Sequence, residues 1–273
     1  MEWRLCNNKF YLSRLAGYPY INEEQAEKAA IGSAFDACIK EQYADALNLD
    51  KPTLKPKQLY NSVGPAENRD VRILAGQHLA VQYEHTPAYK RLLISPDLDI
   101  VVDRYKLIDG VALFGKLDFT PEKGMPGDWK VRFTTTPTKG YTWNSANHSK
   151  DADIPLEEAN EPWAIQMLFY SWLLGNPISG DHPCLIHEIC QDKKAEIAVY
   201  EHYKVISKHF SNLIWGQVQE CWENICNLYV KIKQPTPAVH VCEKWGSICK
   251  VASRCNSYGR TLHPVTGNRE NYV

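Results

Sequence analysis

The chain has 273 residues, 44% of them hydrophobic and 23% charged, with a formal net charge of −1. Such a chain can bury a sizeable core, and the sequence contains no internal repeat or low-complexity run that would exclude a globular fold. The near-neutral charge does not indicate a general nucleic-acid binder, but an enzyme that confines positive charge to a groove is not excluded. The start, MEWRLCNNKF, lacks the apolar core of a secretory signal, and the longest apolar stretch is about half the roughly 20 residues of a membrane span. We therefore expect a soluble, cytoplasmic protein.

The N-terminal part is predicted to be helical. Asn22, with Gln25 three residues later, resembles a capping box and opens a predicted helix over residues 22–47. Its core-facing stripe has helical spacing and consists of Ile31, Phe35, Cys38 and Ile39. A second helix is predicted over residues 68–91, with Leu74, His78 and Val81 on one side.

Strand patterns follow Pro96. Residues 98–108 and 111–119 flank Asp109-Gly110, a dipeptide typical of a two-residue hairpin turn, and a third strand is predicted from Asp128 to Phe133. The polar stretch 134–161 is long for a simple connection, which favours a functional flap.

The second half predicts further helices and strands. Pro162 suits the first turn of a helix that ends near Leu174. Two strands are predicted over residues 183–191 and 195–203, followed by an amphipathic helix over 204–233. Helices, a mixed sheet and more helices together predict an α/β or α+β architecture.

Two aspartates and a lysine suggest metal-dependent hydrolysis. Asp118 and Asp128 lie near predicted strands, and Lys130 has the parity to share a face with Asp128. Carboxylates are the oxygen ligands that Mg²⁺ or Mn²⁺ prefers, with the backbone carbonyl of Trp129 as a candidate third ligand. The Lys130 ammonium could orient a water or stabilise negative charge. The alternative interpretation is an ordinary charged turn.

This D-x(n)-D-x-K pattern resembles that of the PD-(D/E)xK nuclease superfamily, and further matches follow in order. Gln166 and Tyr170, one helical turn apart, match the Q-x-x-x-Y element of the RecB-like branch. Gly32 and Asp36 stand where that branch carries a glycine and, four residues later, a metal-binding histidine. The aspartate in place of histidine is a departure, although a carboxylate also binds Mg²⁺.

The resemblance implies a restriction-endonuclease-like mixed sheet flanked by helices, in one domain over residues 1–273. A helical part would cover 1–95, a catalytic core 96–203, and a C-terminal helix with a cysteine-bearing tail 204–273. It further implies an exonuclease, dependent on Mg²⁺ or Mn²⁺, that hydrolyses DNA from free ends or single strands in recombination, repair or phage DNA metabolism, where it could meet a recombination protein as partner. Asp36 would join the metal ligands, and Gln166 and Tyr170 would orient Lys130 or contact the substrate.

The cysteines of the tail resemble a further feature of the family. The whole chain contains nine cysteines, an odd number that argues against a disulfide framework. Cys242, Cys249 and Cys255, with Cys6 as an early partner, resemble the iron–sulfur ligands of AddB-like and CRISPR-associated nucleases in altered spacing. Zinc bound by three cysteines and His240 is the second interpretation, and no metal is the third.

The predicted flap supplies candidate substrate contacts. With its residues Lys139, Tyr141 and Trp143, the flap could lie over a nucleic-acid strand and stack on its bases. Two alternatives to an exonuclease stay open: an inactive DNA-binding or scaffold subunit with the same fold, and an endonuclease.

Overall fold

The computed structural model describes residues 23–48, 69–144 and 148–231. One compact unit covers Gln25–Trp215. The described residues from Gly216 onward, which form the later part of the last helix, belong to a second unit. The single domain over 1–273 stays a prediction. The described helices are α1 (Glu23–Ala46), α2 (Arg69–Glu84), α3 (Pro87–Leu93), α4 (Leu156–Ala159), α5 (Glu161–Leu174) and α6 (Lys208–Lys231). The described strands are β1 (Asp99–Ile108), β2 (Val111–Glu122), β3 (Met125–Arg132), β4 (Trp143–Asn144), β5 (His182–Gln191) and β6 (Ile197–Ile206).

The predicted first helix is confirmed as α1, but the single helix predicted over 68–91 is wrong. Two helices, α2 and α3, replace it, and the chain turns between them at Thr86 and Pro87. The Thr86 side chain caps α3 by accepting a hydrogen bond from the Tyr89 amide at 3.3 Å. Pro87 has no amide hydrogen to donate to a preceding turn, so it begins a helix more easily than it continues one.

The residues of helix α2 that the apolar spacing places on one side of the helix are exposed, and the opposite side is buried. Leu74 and Val81 are 63% and 49% exposed, and His78 is exposed as well. Buried residues of the same helix include Leu79 and Tyr83, which belong to the main core. Packing against the other helices and the sheet therefore decided the orientation of α2.

The six strands form one mixed sheet in the order β1-β2-β3-β5-β6-β4. All the described pairings are antiparallel except that of β3 with β5. Asp109 and Gly110 have φ values of 48° and 78°, which confirms the predicted tight turn between β1 and β2. Strand β6 extends to Ile206, so the predicted start of the last helix at residue 204 is wrong, and α6 begins at Lys208.

An aromatic cluster joins the sheet to the N-terminal helices. Trp129 of β3 stacks on Tyr43 of α1 with ring centroids 5.9 Å apart and lies 4.5 Å from the ring of Phe119. Its indole N–H donates to the Tyr83 hydroxyl at 3.2 Å, which satisfies the one polar atom of the ring. This cluster holds α1 and α2 on the Trp129 side of β3.

Helix α5 contacts β3 through Asp128 and Lys130, whose side chains alternate with that of Trp129 along the strand. Asn160 caps its N-terminus by accepting from the Trp163 amide at 3.2 Å, and Gly175 ends it with φ 102°. The predicted helix from Pro162 to Leu174 is thereby confirmed. The result is a mixed α/β fold with helices packed against the sheet, and no helix in the described ranges has the length and apolar character needed to cross a membrane.

Candidate functional site

The candidate site lies where β2 and β3 stop pairing. Phe119 is opposite Gly127, and one further step in this register would set Asp118 opposite Asp128. Pairing between the two strands is limited to Phe119–Glu122 on β2, so the ladder does not reach that step. The Trp129 amide, which has no ladder partner on β2, instead donates to Asp118 Oδ2 at 3.1 Å. The Asp118 carboxylate therefore takes the place of a backbone hydrogen bond between the two strands.

Close packing beside this opening requires a glycine. A Cβ built at Gly127 would lie 2.1 Å from the Phe119 ring, far inside van der Waals contact. Gly127→Ala is therefore expected to lower the free energy of unfolding by about 1–3 kcal/mol, as an overpacked core does. The measurement is urea denaturation, with Gly216→Ala as the matched control because a Cβ there meets nothing within 4 Å. Equal stability of the two variants would contradict the prediction.

The carboxyl groups of Asp118 and Asp128 influence each other directly. Burial, the negative charge of Asp118 and a hydrogen bond with it raise the pKa of Asp128 well above its usual value. Burial would also raise the pKa of Asp118, but the Lys40 and Lys130 ammonium groups and the bond with Asp128 lower it. One ionised and one protonated carboxyl is the arrangement expected of two acids that share a site.

Lys130 is held by residues from two elements. Its ammonium forms an ion pair with Asp128 Oδ2 and donates to Gln166 Oε1 at 2.8 Å. The Gln166 amide donates in turn to the Tyr170 hydroxyl at 2.8 Å and to Asp128 Oδ1 at 3.4 Å. The Lys130 side chain is 22% exposed, so its ammonium lies at the edge of the site and not deep inside the protein.

Asp36 joins the site through a lysine that the sequence did not single out. Lys40, one turn later on α1, donates to Asp36 Oδ2 at 2.8 Å and to Asp118 Oδ1 at 3.3 Å. The Lys40 side chain is fully buried. Burial alone would lower its pKa, but the charges of Asp118 and Asp36 outweigh burial and raise it, so the ammonium is retained. Burial and the charge of Asp118 raise the pKa of Asp36 to about 7, against the opposing effect of Lys40.

The structure thus brings together the six residues that are central to the family resemblance. They come from four elements and are Asp36, Asp118, Asp128, Lys130, Gln166 and Tyr170. A Cβ at Gly32, also part of the resemblance, would meet nothing within 4 Å, so that glycine is not needed for close packing against the described residues.

The carboxylates of Asp36, Asp118 and Asp128 differ in how well they would serve as ligands of a divalent metal. Oδ2 of Asp128 and Oδ1 of Asp36 are buried and accept no hydrogen bond, although an ammonium lies beside each. The charge of Asp118 opposes ionisation of the adjacent Asp128, and two carboxylates placed in this way fit a pair of oxygen ligands for Mg²⁺ or Mn²⁺. Within the described ranges, however, no group of three acidic, histidine or cysteine side chains is arranged as a metal site. The Lys40 ammonium lies between Asp36 and Asp118, and the assignment of Asp36 as a ligand stays a prediction.

A second polar cluster, which the sequence did not predict, ties the 134–161 segment to the sheet. Glu188 of β5 is fully buried and accepts hydrogen bonds from the Thr138 amide at 2.9 Å and from His202 at 3.0 Å, while Arg132 pairs with it at 2.5 Å. In parallel, Thr142 donates through its amide to the Glu201 carbonyl at 2.6 Å. With β4 and α4 inside it, the segment is less irregular than its composition suggests.

The flap residues predicted to contact substrate already have partners inside the protein. The Tyr141 ring lies 4.9 Å from that of Tyr200, and Trp143 has the guanidinium of Arg91 5.5 Å from its ring centroid. Lys139 is exposed and borders an open cavity of about 760 Å³. Their role toward substrate stays a prediction.

Some of the histidines and cysteines singled out in the sequence lie within the described residues, and others lie outside them. His182 bonds to Ser171 and Ser211 through its two ring nitrogens. His187 bonds to the Tyr83 hydroxyl through Nδ1, and its Nε2 lies 3.3 Å from Glu201 Oε1 without a hydrogen bond. Cys184 and Cys190 are buried free thiols. The proposed iron–sulfur or zinc ligands all lie outside the described residues; they are Cys6, His240, Cys242, Cys249 and Cys255.

Comparisons with models of protein families, with curated proteins and with solved structures gave no match for this chain.

Proposed function

We propose that the chain is a metal-dependent DNA nuclease with a restriction-endonuclease-like fold of the RecB type, acting as an exonuclease. The order of elements supports the fold: helices α1 to α3, three antiparallel strands, the short β4 and α4, helix α5, and then β5 parallel to β3. The observation that carries the function is the contact of Lys130 with both Asp128 and Gln166, beside Asp118. Three separate elements, β2, β3 and α5, supply this set, and a chance D-x-K turn on the surface would not assemble them.

Each residue has a role that follows from its position. Asp118 and Asp128 would hold the ion, which supplies positive charge to a phosphate and acidifies a bound water. In a strand, the N–H and C=O of one residue point to the same neighbour, so the Trp129 carbonyl faces the side where its amide meets Asp118. The Lys130 ammonium, oriented by Gln166 Oε1, can donate to an attacking water or to a phosphate oxygen that gains negative charge.

The proposal is tested by digestion of end-labelled DNA with Mg²⁺, Mn²⁺ or EDTA. Wild type is expected to degrade linear DNA with either metal and not in EDTA. Lys130→Ala is expected to lose about 10²–10³-fold in rate, as removal of one positioned donor does elsewhere. The matched control is Lys123→Ala, an exposed lysine in the β2–β3 turn, which should keep the wild-type rate. Equal rates for wild type and Lys130→Ala in every condition would overturn the proposal.

The alternatives give different outcomes in the same assay. An endonuclease would open covalently closed circular DNA, whereas an exonuclease would leave it intact. An inactive binding or scaffold subunit would retain DNA in a filter-binding measurement and degrade none of the substrates.

A further inference from the structure

Lys40 is a fully buried ammonium between two carboxylates, and the roles assigned so far do not use it. It lies on α1, one turn after Asp36, and its Nζ is 2.6 Å from Asp36 Oδ1 and 3.3 Å from Asp118 Oδ1. A buried charge of this kind is costly unless it is paired, and both of its partners belong to the candidate site. Its position therefore needs an explanation at that site.

The charges around Lys40 indicate what it replaces. Nuclease sites with two divalent ions place both ions about 3.5–4 Å apart among shared carboxylates. Here Asp118 is shared in the same manner: it faces Asp128 on one side and the Lys40 ammonium, with Asp36 behind it, on the other. Asp36 and Asp118 are placed to hold a cation between them, and the Lys40 ammonium fills that position.

We infer that the Lys40 ammonium is a built-in cation that occupies the position of a second divalent ion, so that the site takes a single Mg²⁺ or Mn²⁺ at Asp118 and Asp128. This rests on the proposed function for the ion at Asp118 and Asp128. The assignment of Lys40 itself depends only on its contacts and its burial. Lys40 acts as a positioning residue, since it holds Asp118 and does not reach the pair of Lys130 and Gln166 in the described contacts.

A metal count tests this inference without reference to catalysis. Lys40→Met keeps the length of the side chain and removes its charge, which leaves Asp36 and Asp118 facing each other without a cation. Mn²⁺ bound per chain, followed by electron paramagnetic resonance of free Mn²⁺, is expected to rise from about one in wild type to about two in Lys40→Met. Lys123→Met is the matched control and should bind as wild type does.

A double variant separates a cation position from a structural ion pair. Asp36→Asn/Lys40→Met removes one charge of each sign, and it is expected to return to about one ion per chain. Lys40→Met should also gain more in melting temperature from Mn²⁺ than wild type does, because the ion replaces the lost ammonium. If Lys40→Met binds the same number of ions as wild type, or fails to fold with and without Mn²⁺, the inference is wrong.

The outcomes distinguish this inference from the proposed function. Wild type that binds no Mn²⁺ and degrades no DNA would remove the proposed function, whereas an additional ion in Lys40→Met relative to wild type would still support the role of Lys40. Conversely, an active wild type whose Mn²⁺ count does not change in Lys40→Met would overturn the inference alone.

Discussion

Asp128→Asn is expected to reduce DNA hydrolysis by at least about 10³-fold and to increase the stability of the metal-free protein. The loss of rate corresponds to roughly 4 kcal/mol of transition-state stabilisation, within what a metal ion supplies. The gain in stability has a separate cause. Burial and the charge of Asp118 raise the pKa of Asp128, so its ionised form is unfavourable in the folded state. An amide of the same shape carries no such charge and can still accept from the Gln166 amide.

Two measurements check these opposite effects. Thermal melting in EDTA should show a gain of roughly 0.5–2 kcal/mol for Asp128→Asn, in the range found when a functional group under strain is removed. Digestion with Mn²⁺ should show the loss of rate in the same preparation. Asp97→Asn, at an exposed aspartate before β1, is the matched control and should change neither quantity. Retained cleavage by Asp128→Asn would contradict the assignment of Asp128 as a metal ligand.

Local signals in the sequence were sufficient for most of the elements. Asp109-Gly110 adopts the positive φ values that its turn requires, and Pro162 begins a helix, because both effects depend on the backbone of one or two residues. The break at Thr86 was missed because apolar residues continue on both sides of it. The outward face of α2 was missed for a different reason: Leu74 and Val81 have the spacing of a core stripe, and only tertiary packing shows which stripe is buried.

The residues of the site also fall into two groups: those that local spacing predicts and those whose position depends on tertiary packing. The carboxylates and Lys130 could be found from spacing because strand parity places Asp128 and Lys130 on one face. Lys40 could not, since a lysine four residues after an aspartate on a helix is normally an exposed pair. Its burial depends on Asp118, which lies 78 residues away in the sequence. Glu188 was missed because glutamate in a strand usually indicates a solvent-facing position, whereas β5 has strands on both sides and helices nearby.

Glu188→Ala is expected to cost about 3–5 kcal/mol of unfolding free energy, because it removes a buried carboxylate that accepts from His202, Arg132 and the Thr138 amide. The substitution would leave the fully buried His202 ring and the Thr138 amide without the acceptor that they now share. Arg132, whose side chain is 39% exposed, can turn to water and should contribute less to the loss. Urea denaturation measures the change. Glu196→Ala, at an exposed glutamate beside the β5–β6 turn, should stay within about 0.5 kcal/mol of wild type.

Acid titration gives the same prediction a second readout. Burial would raise the pKa of Glu188, but hydrogen bonds from His202, Arg132 and the Thr138 amide outweigh it and lower the pKa below 4.5. A carboxyl whose pKa is lower when folded contributes stability above pH 4.5, and this contribution is lost as the pH falls through the lowered value. Wild type should therefore lose stability on acidification below pH 4.5, and Glu188→Ala should lose less because that proton-linked contribution is already absent. Identical pH dependence in the two proteins would show that Glu188 is not held ionised by its partners. The connection between the 134–161 segment and the sheet would then have to depend on Glu201 and Thr142 instead.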